Sequence, residues 1–571
     1  MRVKKRINDK MLNISINADC ALVMIPHEDD ELLVAGNLIC HLIENDIDTY
    51  VVFATNGDWH VPASKRFKEA LRSLAILGVR KENIFFLGYG DSLNSNKKDH
   101  LYYFDDSCTK SYAGYERTYG TSYKQDYSYL KNGIHHEYNR KCFENDIYDV
   151  ITDLEPQVIV CCDYDEHADH RALSICFDVV INRVLKERDD YKPIVLKRFA
   201  YCLAYFAEDD YFNINCMATM RPVVGAINKY NFDMIDSFHR MWGERLRIPT
   251  ETTNEKVCRA ITKHKSQHLY ARIGRIINSD EVFWMYRTDN IALKADMSVS
   301  TGDSIYLNDG MYYVIDDIDT TVSTFNKYLW KPAVNDQVPN ICLKWNHLVR
   351  IGKVRLFPGF SQNIYNCKIL IHSSGRKIYE FNHLPIRGNA LECCFDKFVI
   401  CDEITIEFSG VDSYFPGISE IEVFEESENE NKFIEPYIMF EVNGCISSTY
   451  YSDKKQKNYK INIYSYGISS DIDYKIIEGN AYFEEGKLIV EEDESRVSIV
   501  ALAESDKEKV QAFVTIIRKN MYLFNRIKFI DRYIRMIISK IMLRFDVYIR
   551  FINHHSLKEI LKRIKISKDN L

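Results

Sequence analysis

Two short runs of histidine and acidic residues carry the residue types that bind a divalent metal ion and activate water. They are residues 26–31 (PHEDDE) and residues 163–171 (DYDEHADHR). One aspartate is enough to cap the amides at the start of a helix, so helix capping alone does not explain the number of acidic residues in these runs. Crowded carboxylates repel one another and resist burial unless a cation compensates them. The composition of both runs therefore indicates a metal site.

Each run directly follows a short apolar stretch typical of a buried strand and precedes a helical pattern. Ligand sites in open α/β sheets lie just beyond the carboxyl ends of the strands. If the two strands are neighbours, His27, Asp30 and His170 form an N,N,O ligand set for zinc with one position open for water. Three protein ligands plus water is the catalytic arrangement, whereas structural zinc sites use four protein ligands. Such sites also admit iron and other divalent ions.

The elements that must position these runs are those of an α/β domain with a mostly parallel, Rossmann-like sheet, expected over residues 1–287. Apolar runs predict strands at 21–26, 50–54, 84–87 and 158–162, and apolar periodicity predicts helices at 31–43, 65–77 and 172–185. Between them, residues 89–145 are polar and rich in tyrosine. We predict a long loop or insertion there. Loops of this length in compact domains are usually functional or disordered, and the tyrosines favour a place at the rim of a site over disorder.

Two all-β sandwich modules are expected next, over residues 288–426 and 432–517, because the pattern changes to short alternating strands separated by turn residues. The predicted strands are 348–356, 367–372, 398–401 and 404–408 in the first module and 460–464, 487–490, 497–501 and 511–517 in the second. The charged run between the modules has the composition of a linker.

Residues 518–571 form a basic segment with 14 Lys and Arg against 4 Asp and Glu, a net +10, which leaves −18 on residues 1–517. Its apolar residues recur at intervals of three and four, which predicts a basic amphipathic helical tail. Binding to an anionic membrane surface is the favoured interpretation. Packing of this helix within the protein or an oligomer is the alternative. The acidic body and the absence of a recognised motif argue against nucleic acid as a partner.

Composition excludes several other classes of protein. With 23 Gly, 12 Pro and 46% hydrophobic residues, the chain is neither collagen-like nor of low complexity and has enough apolar residues for packed cores. It contains no charge-free apolar run of 18 residues, and its basic start lacks the apolar run and cleavage-like flank of a secretion signal. The 16 scattered cysteines form no CxxC pair and are expected to be reduced thiols. We therefore predict a cytoplasmic protein, peripheral at the inner membrane face if the tail binds lipid.

The two acidic runs resemble the motifs of the PIG-L/LmbE-like family of zinc-dependent N-deacetylases, which read small-His-Pro-Asp-Asp-Glu and His-Pro-Asp-His-Arg. The resemblance covers roughly residues 15–290. Further matches to the family pattern lie at residues 55–57, 66–69, 77–79, 87–91 and 256–267. The chain departs from the pattern at Glu28 and Ala168, where the family usually has proline; neither position supplies a ligand.

Carried over residue by residue, the resemblance implies zinc as the cofactor, with other divalent metals also compatible, and His27, Asp30 and His170 as its ligands. It implies Asp29 as the general base toward a zinc-activated water. His167 would polarise the amide oxygen and either stabilise the oxyanion or protonate the leaving amine.

The same carry-over gives Asp169 the task of orienting His167. Arg66, Asp91 and His264 are the substrate-binding candidates. Arg66 and Asp91 are open to a second interpretation as surface ions, and His264 to one as a packed helix residue.

The first β module is similar to galactose-binding-like (discoidin-type) domains, and the second weakly resembles bacterial immunoglobulin-like domains. The former resemblance implies a carbohydrate or lipid-headgroup ligand, with simple packing against the catalytic domain as the alternative. Together these features predict a bacterial-type hydrolase that removes an N-acetyl group from an amino sugar in a GlcNAc-type glycan, glycoconjugate or lipid-linked saccharide. Two alternatives stay open: a non-catalytic carbohydrate-binding or scaffold protein on a relic hydrolase fold, and an amidase of another substrate class, such as a mycothiol-conjugate amidase.

Overall fold

The structure is a computed structural model of the 571-residue chain. It describes residues 16–91, 110–163, 165, 167–200, 245–249, 254–269, 276, 280–312, 329–359, 363–386, 391–425, 437–443, 445–446, 449–466, 468, 470–504 and 509–519.

A seven-stranded sheet forms the N-terminal part of the described chain. Its strands are β1 Cys20–Ile25, β2 Asp48–Thr55, β3 Ile84–Tyr89, β4 Val158–Cys162, β5 Ile194–Arg198, β6 Arg245–Pro249 and β7 Asp280–Tyr286, in the order β3-β2-β1-β4-β5-β7-β6. The first five strands pair in parallel, and β7 pairs antiparallel with β5 and β6. The prediction of a Rossmann-like, mostly parallel sheet is confirmed.

Helices connect and cover these strands: α1 Asp30–Val34, α2 Gly36–Glu44, α3 Ala63–Leu77, α4 Tyr127–Asn132, α5 Arg140–Leu154, α6 Ala168–Glu187 and α7 Asn254–Ile261. One apolar cluster fills the space between sheet and helices and contains β1 and β4, which are buried almost throughout. Because β1 lies between β2 and β4, the loops that follow β1 and β4 emerge side by side.

The helix expected at 31–43 is divided into α1 and α2 at Ala35, whose backbone leaves the helical region with φ −146° and ψ 22°. The cause is a carboxylate from β7. Glu281 accepts hydrogen bonds from the backbone amides of Asn37 at 3.0 Å and Leu38 at 2.8 Å. These amides would otherwise lack partners at the new helix start, so Glu281 stabilises the restart there.

Of the two interpretations of residues 89–145, the structure favours an insertion over one long loop, because the second half contains α4 and the start of α5. Asp126 caps α4 by accepting from the amide of Tyr129, and Gly133 ends it with φ +71°. Asn139 caps α5 by accepting from the amide of Cys142 at 2.8 Å. Side-chain capping of this kind begins helices even in polar sequence. Residues 92–109 of the predicted loop lie outside the described residues.

The next sheet has six strands and corresponds to the first predicted β module. It contains β8 Asp296–Val299, β9 Asn340–Pro358, β10 Tyr365–Ser373, β11 Arg376–Ile386, β12 Leu391–Ser409 and β13 Ile418–Phe424, all in antiparallel pairs. A second apolar cluster lies against this sheet. The backbone of Gly310, in this module, packs closely against α6. Its φ is +82°, and a Cβ at this position would lie 2.5 Å from the carbonyl oxygen of Asp178 on that helix.

Two further sheets follow and share a third apolar cluster, as in a sandwich. Their strands are β14 Tyr437–Val442, β15 Cys445–Ile446, β16 Thr449–Asp453, β17 Asn458–Tyr466, β18 Asp473–Glu478, β19 Ala481–Glu484, β20 Lys487–Val490, β21 Arg496–Glu504 and β22 Lys509–Lys519. All pairs are antiparallel except β16 with β22. The prediction of all-β architecture after the α/β domain is confirmed.

Strand β22 extends to Lys519, two residues into the segment predicted as a helical tail. The rest of that segment, 520–571, lies outside the described residues, so the amphipathic helix and its membrane contact stay predictions. None of the helices in the described ranges combines the length and the apolar character that crossing a bilayer requires.

Candidate metal centre and active site

The two acidic loops meet because β1 and β4 pair directly, with Met24 opposite Cys161. His170 Nε2 lies 3.2 Å from His27 Nδ1 and 3.2 Å from Asp30 Oδ2. His27 Nδ1 lies 3.0 Å from the same Asp30 oxygen. The structure thus brings the three sequence-predicted metal ligands together at the carboxyl edge of the sheet, in a buried position.

The donor set fits a divalent metal ion. Among the described residues, Asp30 Oδ1 is buried and has no hydrogen-bond partner, although a buried carboxylate oxygen normally has one. Ligand atoms of His27, His167 and His170 also all lie within 4.8 Å of one another. Imidazole nitrogens with one carboxylate are the donors that zinc and similar ions take. The cluster can therefore hold a metal.

The carboxylates of the cluster raise the pKa of two of its histidines. Burial opposes protonation of His27, but the carboxylates of Asp91, Asp169 and Asp30 outweigh it and raise the pKa of His27 to about 10. Burial likewise opposes protonation of His170, whose pKa the carboxylates of Asp165 and Asp30 raise well above its usual value. A metal ion must displace such protons, so metal binding here competes with protonation.

His167 differs from the other two histidines. Burial, reinforced by the nearby charges of His27 and His170, holds the pKa of His167 well below its usual value, so its imidazole is neutral near pH 7. Its Nδ1 accepts a hydrogen bond from the backbone amide of Asp169 at 3.2 Å. In a neutral ring that leaves the proton on Nε2, which makes Nε2 a donor.

Asp169 and Asp91 both face His27. The Asp169 Oδ2 lies 3.1 Å from His27 Nε2 and 3.8 Å from His167 Nδ1, so the carboxylate predicted to orient His167 is closer to His27. Asp91 Oδ2 lies 3.9 Å from His27 Nε2. Burial, aided by Asp169 and opposed by His27, raises the pKa of Asp91 to about 7. The predicted substrate residue Asp91 is therefore beside the candidate metal ligands.

Arg66, predicted to bind substrate, lies under the first loop with an exposed fraction of 4%. Its Nη2 donates to Asp29 Oδ1 at 3.1 Å and its Nε to Glu28 Oε2 at 3.3 Å. A Cβ on Gly57, whose φ is +55°, would lie 2.3 Å from that Glu28 oxygen and 2.7 Å from Arg66 Nε. Glycine at 57 thus leaves room for the ion pair that holds the candidate general base, Asp29.

His264 lies behind the first loop. Its Nε2 is 2.5 Å from Glu31 Oε1, and both side chains are fully buried. Burial opposes its protonation, but Glu31 raises the pKa of His264 above its usual value. Two residues later, the amide of Ser266 donates to Glu69 at 3.1 Å. These contacts tie the segment after α7 to α1 and α3, so His264 supports the first loop in this structure.

Asp165 is a site residue that the sequence predictions missed. One of its carboxylate oxygens lies 2.8 Å from His170 Nδ1. The carboxylate also accepts from the backbone amides of His167 at 3.0 Å and Ala200 at 3.1 Å. A carboxylate on the second nitrogen of a metal-binding histidine fixes its tautomer and raises its basicity. The signal was present in the sequence as an acid five residues before the predicted ligand.

Replacing Asp165 with asparagine is expected to weaken metal binding about tenfold, because one amide oxygen cannot serve all three donors and carries no charge. Competition with a chelating dye at fixed pH measures the change in affinity. The matched control is Asp190→Asn, at a carboxylate that is 82% exposed. Equal metal affinities in the two variants would contradict a supporting role for Asp165.

Comparison with known proteins gives a family match. The profile described as "PIG-L: GlcNAc-PI de-N-acetylase" matches residues 22–180. No curated protein sequence matches the chain. The match to the PIG-L profile confirms the family resemblance of the two motifs.

Several solved structures are similar to parts of the chain. N,N'-diacetylchitobiose deacetylase from Pyrococcus horikoshii is 14% identical over 48% of this chain and 85% of its own, with a TM-score of 0.26. The family 32 carbohydrate-binding module of NanJ from C. perfringens, in complex with galactose, is 16% identical over 23% of this chain and 94% of its own, with a TM-score of 0.18. A GH29 fucosidase from Ruminococcus gnavus is 17% identical, with a TM-score of 0.18; the match covers 25% of this chain and only 27% of the fucosidase.

Both acidic loops and all three candidate metal ligands fall within the matched residues. The chain therefore contains a domain of the PIG-L family at residues 22–180.

Proposed function

We propose that the protein is a metal-dependent deacetylase that hydrolyses the acetamide of an N-acetyl amino sugar to give acetate and a free amine. The observation that carries this proposal is the buried cluster of His27, Asp30 and His170, joined by contacts of 3.0 to 3.2 Å, with Asp29 next to it in the chain. The family description, a de-N-acetylase of a GlcNAc conjugate, supports an N-acetylglucosamine-type substrate.

His27, Asp30 and His170 would hold the metal ion, for which we propose zinc. When bound, such an ion supplies Lewis acidity, which makes water more acidic and polarises a carbonyl oxygen. The unpartnered Asp30 Oδ1, and the carboxylates that raise the pKa of His27 and His170, support a cation at this place. Two imidazoles and one carboxylate leave room in a four-coordinate shell for the reacting groups.

Asp29 is the proposed general base that takes a proton from the attacking water. Its Oδ1 accepts from Arg66 at 3.1 Å, so the carboxylate is held in a fixed orientation. A positioned base of this kind contributes about 10²- to 10⁴-fold to the rate. Arg66 thereby acts as a positioning residue in this proposal, and its exposed fraction of 4% leaves little of it for direct contact with substrate.

His167 is the proposed electrophile. Because its Nδ1 accepts from the Asp169 amide, the Nε2 proton of the neutral ring is available to donate to the amide oxygen as negative charge develops there. The lowered pKa of His167 favours this neutral donor form over the imidazolium. Amide hydrolysis needs such a donor at the amide oxygen in addition to a base for the water.

The test is acetate release from N-acetylglucosamine and from its β-linked disaccharide by the zinc-loaded full chain, with appearance of a free amine measured in parallel. We expect both products in equal amounts and background levels after chelation. Release of acetate only from amides that are not sugars would move the assignment to another amidase class. Glycan binding without any acetate release would favour the non-catalytic alternative.

A further inference from the structure

Three aromatic side chains form an exposed cluster beside the candidate active site. The rings of Trp59 and His60 lie 3.5 Å apart between centroids. Tyr112 meets both rings edge-on, at 5.9 Å from Trp59 and 6.2 Å from His60. Tyr112 is 56% exposed, His60 is exposed and Trp59 is partly exposed. We call these three residues the aromatic platform.

The aromatic platform is tied by hydrogen bonds to the candidate metal centre. Asp58, the neighbour of Trp59, accepts from the backbone amide of Asp91 at 2.8 Å. The carbonyl oxygen of Asp91 in turn accepts from the amide of Tyr112 at 3.1 Å. The Asp91 carboxylate lies 3.9 Å from His27. The same residue therefore contacts the platform through its backbone and faces the metal ligands with its side chain.

Packing does not account for the aromatic platform, since none of its three residues belongs to the apolar core of the described sheet and helices. Exposed apolar groups that do not serve the packing of the core often mark a ligand surface. A pyranose ring has one face of C–H groups that stacks on an aromatic ring, and its hydroxyls can reach the indole N–H and the phenol. Trp and Tyr offer this combination of apolar body and polar tip.

We propose that Trp59, His60 and Tyr112 bind a second sugar ring of the substrate, so that the protein acts on a glycan or oligosaccharide in preference to a free monosaccharide. This inference rests on the proposed deacetylase function. The amino sugar that reacts lies at the metal centre, and the adjoining ring lies on the aromatic platform beyond Asp91.

The first test compares kcat/KM for N-acetylglucosamine and for its β-1,4-linked trisaccharide in wild type, Trp59→Ala and Tyr112→Ala. We expect the ratio of trisaccharide to monosaccharide to fall about tenfold in both variants, mainly through KM, because each loses a stacking partner. Tyr129→Ala is the control, at a tyrosine on α4 that is 42% exposed. An unchanged ratio in Trp59→Ala and Tyr112→Ala, with metal content as in wild type, would overturn the proposal.

The second test reads binding without turnover. Titration of metal-free protein with the same trisaccharide is expected to change tryptophan fluorescence, and Trp59→Phe is expected to lose this change although the chain has four other tryptophans. A change that persists in Trp59→Phe would count against the platform. A change that depends on Trp59, combined with no acetate release by zinc-loaded wild type, would support the platform and overturn the deacetylase function.

Discussion

Alanine at either His27 or His170 is expected to abolish metal binding and to lower deacetylation by about 10³-fold or more, since a bound metal supplies several kcal/mol to such reactions. The two residues follow different strands, β1 and β4, and lie 143 positions apart in the chain. Loss of the ion from both variants is expected only if the two loops share one site. Each substitution also leaves Asp30 with one imidazole neighbour instead of two.

Metal content of the purified full chain, measured by elemental analysis after zinc loading and desalting, tests this expectation. About one ion per chain is expected in wild type and none in either variant. His347→Ala, at an exposed histidine on β9, is the control and should keep its ion. If His170→Ala retained one ion and His27→Ala did not, His170 would not be a ligand. The ion would then have to lie among His27, Asp91, His167 and Asp169, whose ligand atoms are within 4.8 Å of one another.

From the sequence, His27, Asp30 and His170 were predicted to meet only if the strands before them are neighbours, because loops at the carboxyl ends of adjacent parallel strands lie together. The pairing of β1 with β4 in the structure meets that condition. Apolar runs of four to six residues mark the positions of β1, β2, β3 and β4. The α/β domain and the change to all-β architecture were predictable for the same reason. Both follow from the spacing of apolar residues along the chain, which can be read from one sequence.

The features that escaped prediction depend on side chains far apart in the chain. Glu281 divides α1 from α2 by capping amides 243 and 244 positions away. Arg66 reaches Glu28 and Asp29 only because α3 packs against the loop after β1. No local pattern marks either contact. The capping residues Asp126 and Asn139 are different, since their signals are local and were hidden by the tyrosine-rich composition around them.

Asp29→Asn is expected to keep the metal ion and to lower kcat by about 10²- to 10⁴-fold, the range for loss of a positioned general base. Asparagine has nearly the volume of aspartate, and its amide oxygen can still accept from Arg66 Nη2, which lies 3.1 Å from Asp29 Oδ1. The fold of the loop should therefore persist. What is lost is the basic carboxylate, because an amide cannot take a proton from water at neutral pH.

Metal content and kcat must be measured on the same preparation, since the prediction is a loss of turnover at unchanged metal stoichiometry. Glu44→Gln controls for removal of a carboxylate outside the site; its side chain is 39% exposed and pairs with Lys256. Turnover within a few-fold of wild type in Asp29→Asn would remove Asp29 from the role of base. Loss of the ion would instead make Asp29 part of the metal-binding structure. His27→Ala is expected to lose both the metal ion and turnover, whereas Asp29→Asn is expected to lose only turnover. The two variants together therefore separate metal binding from proton transfer.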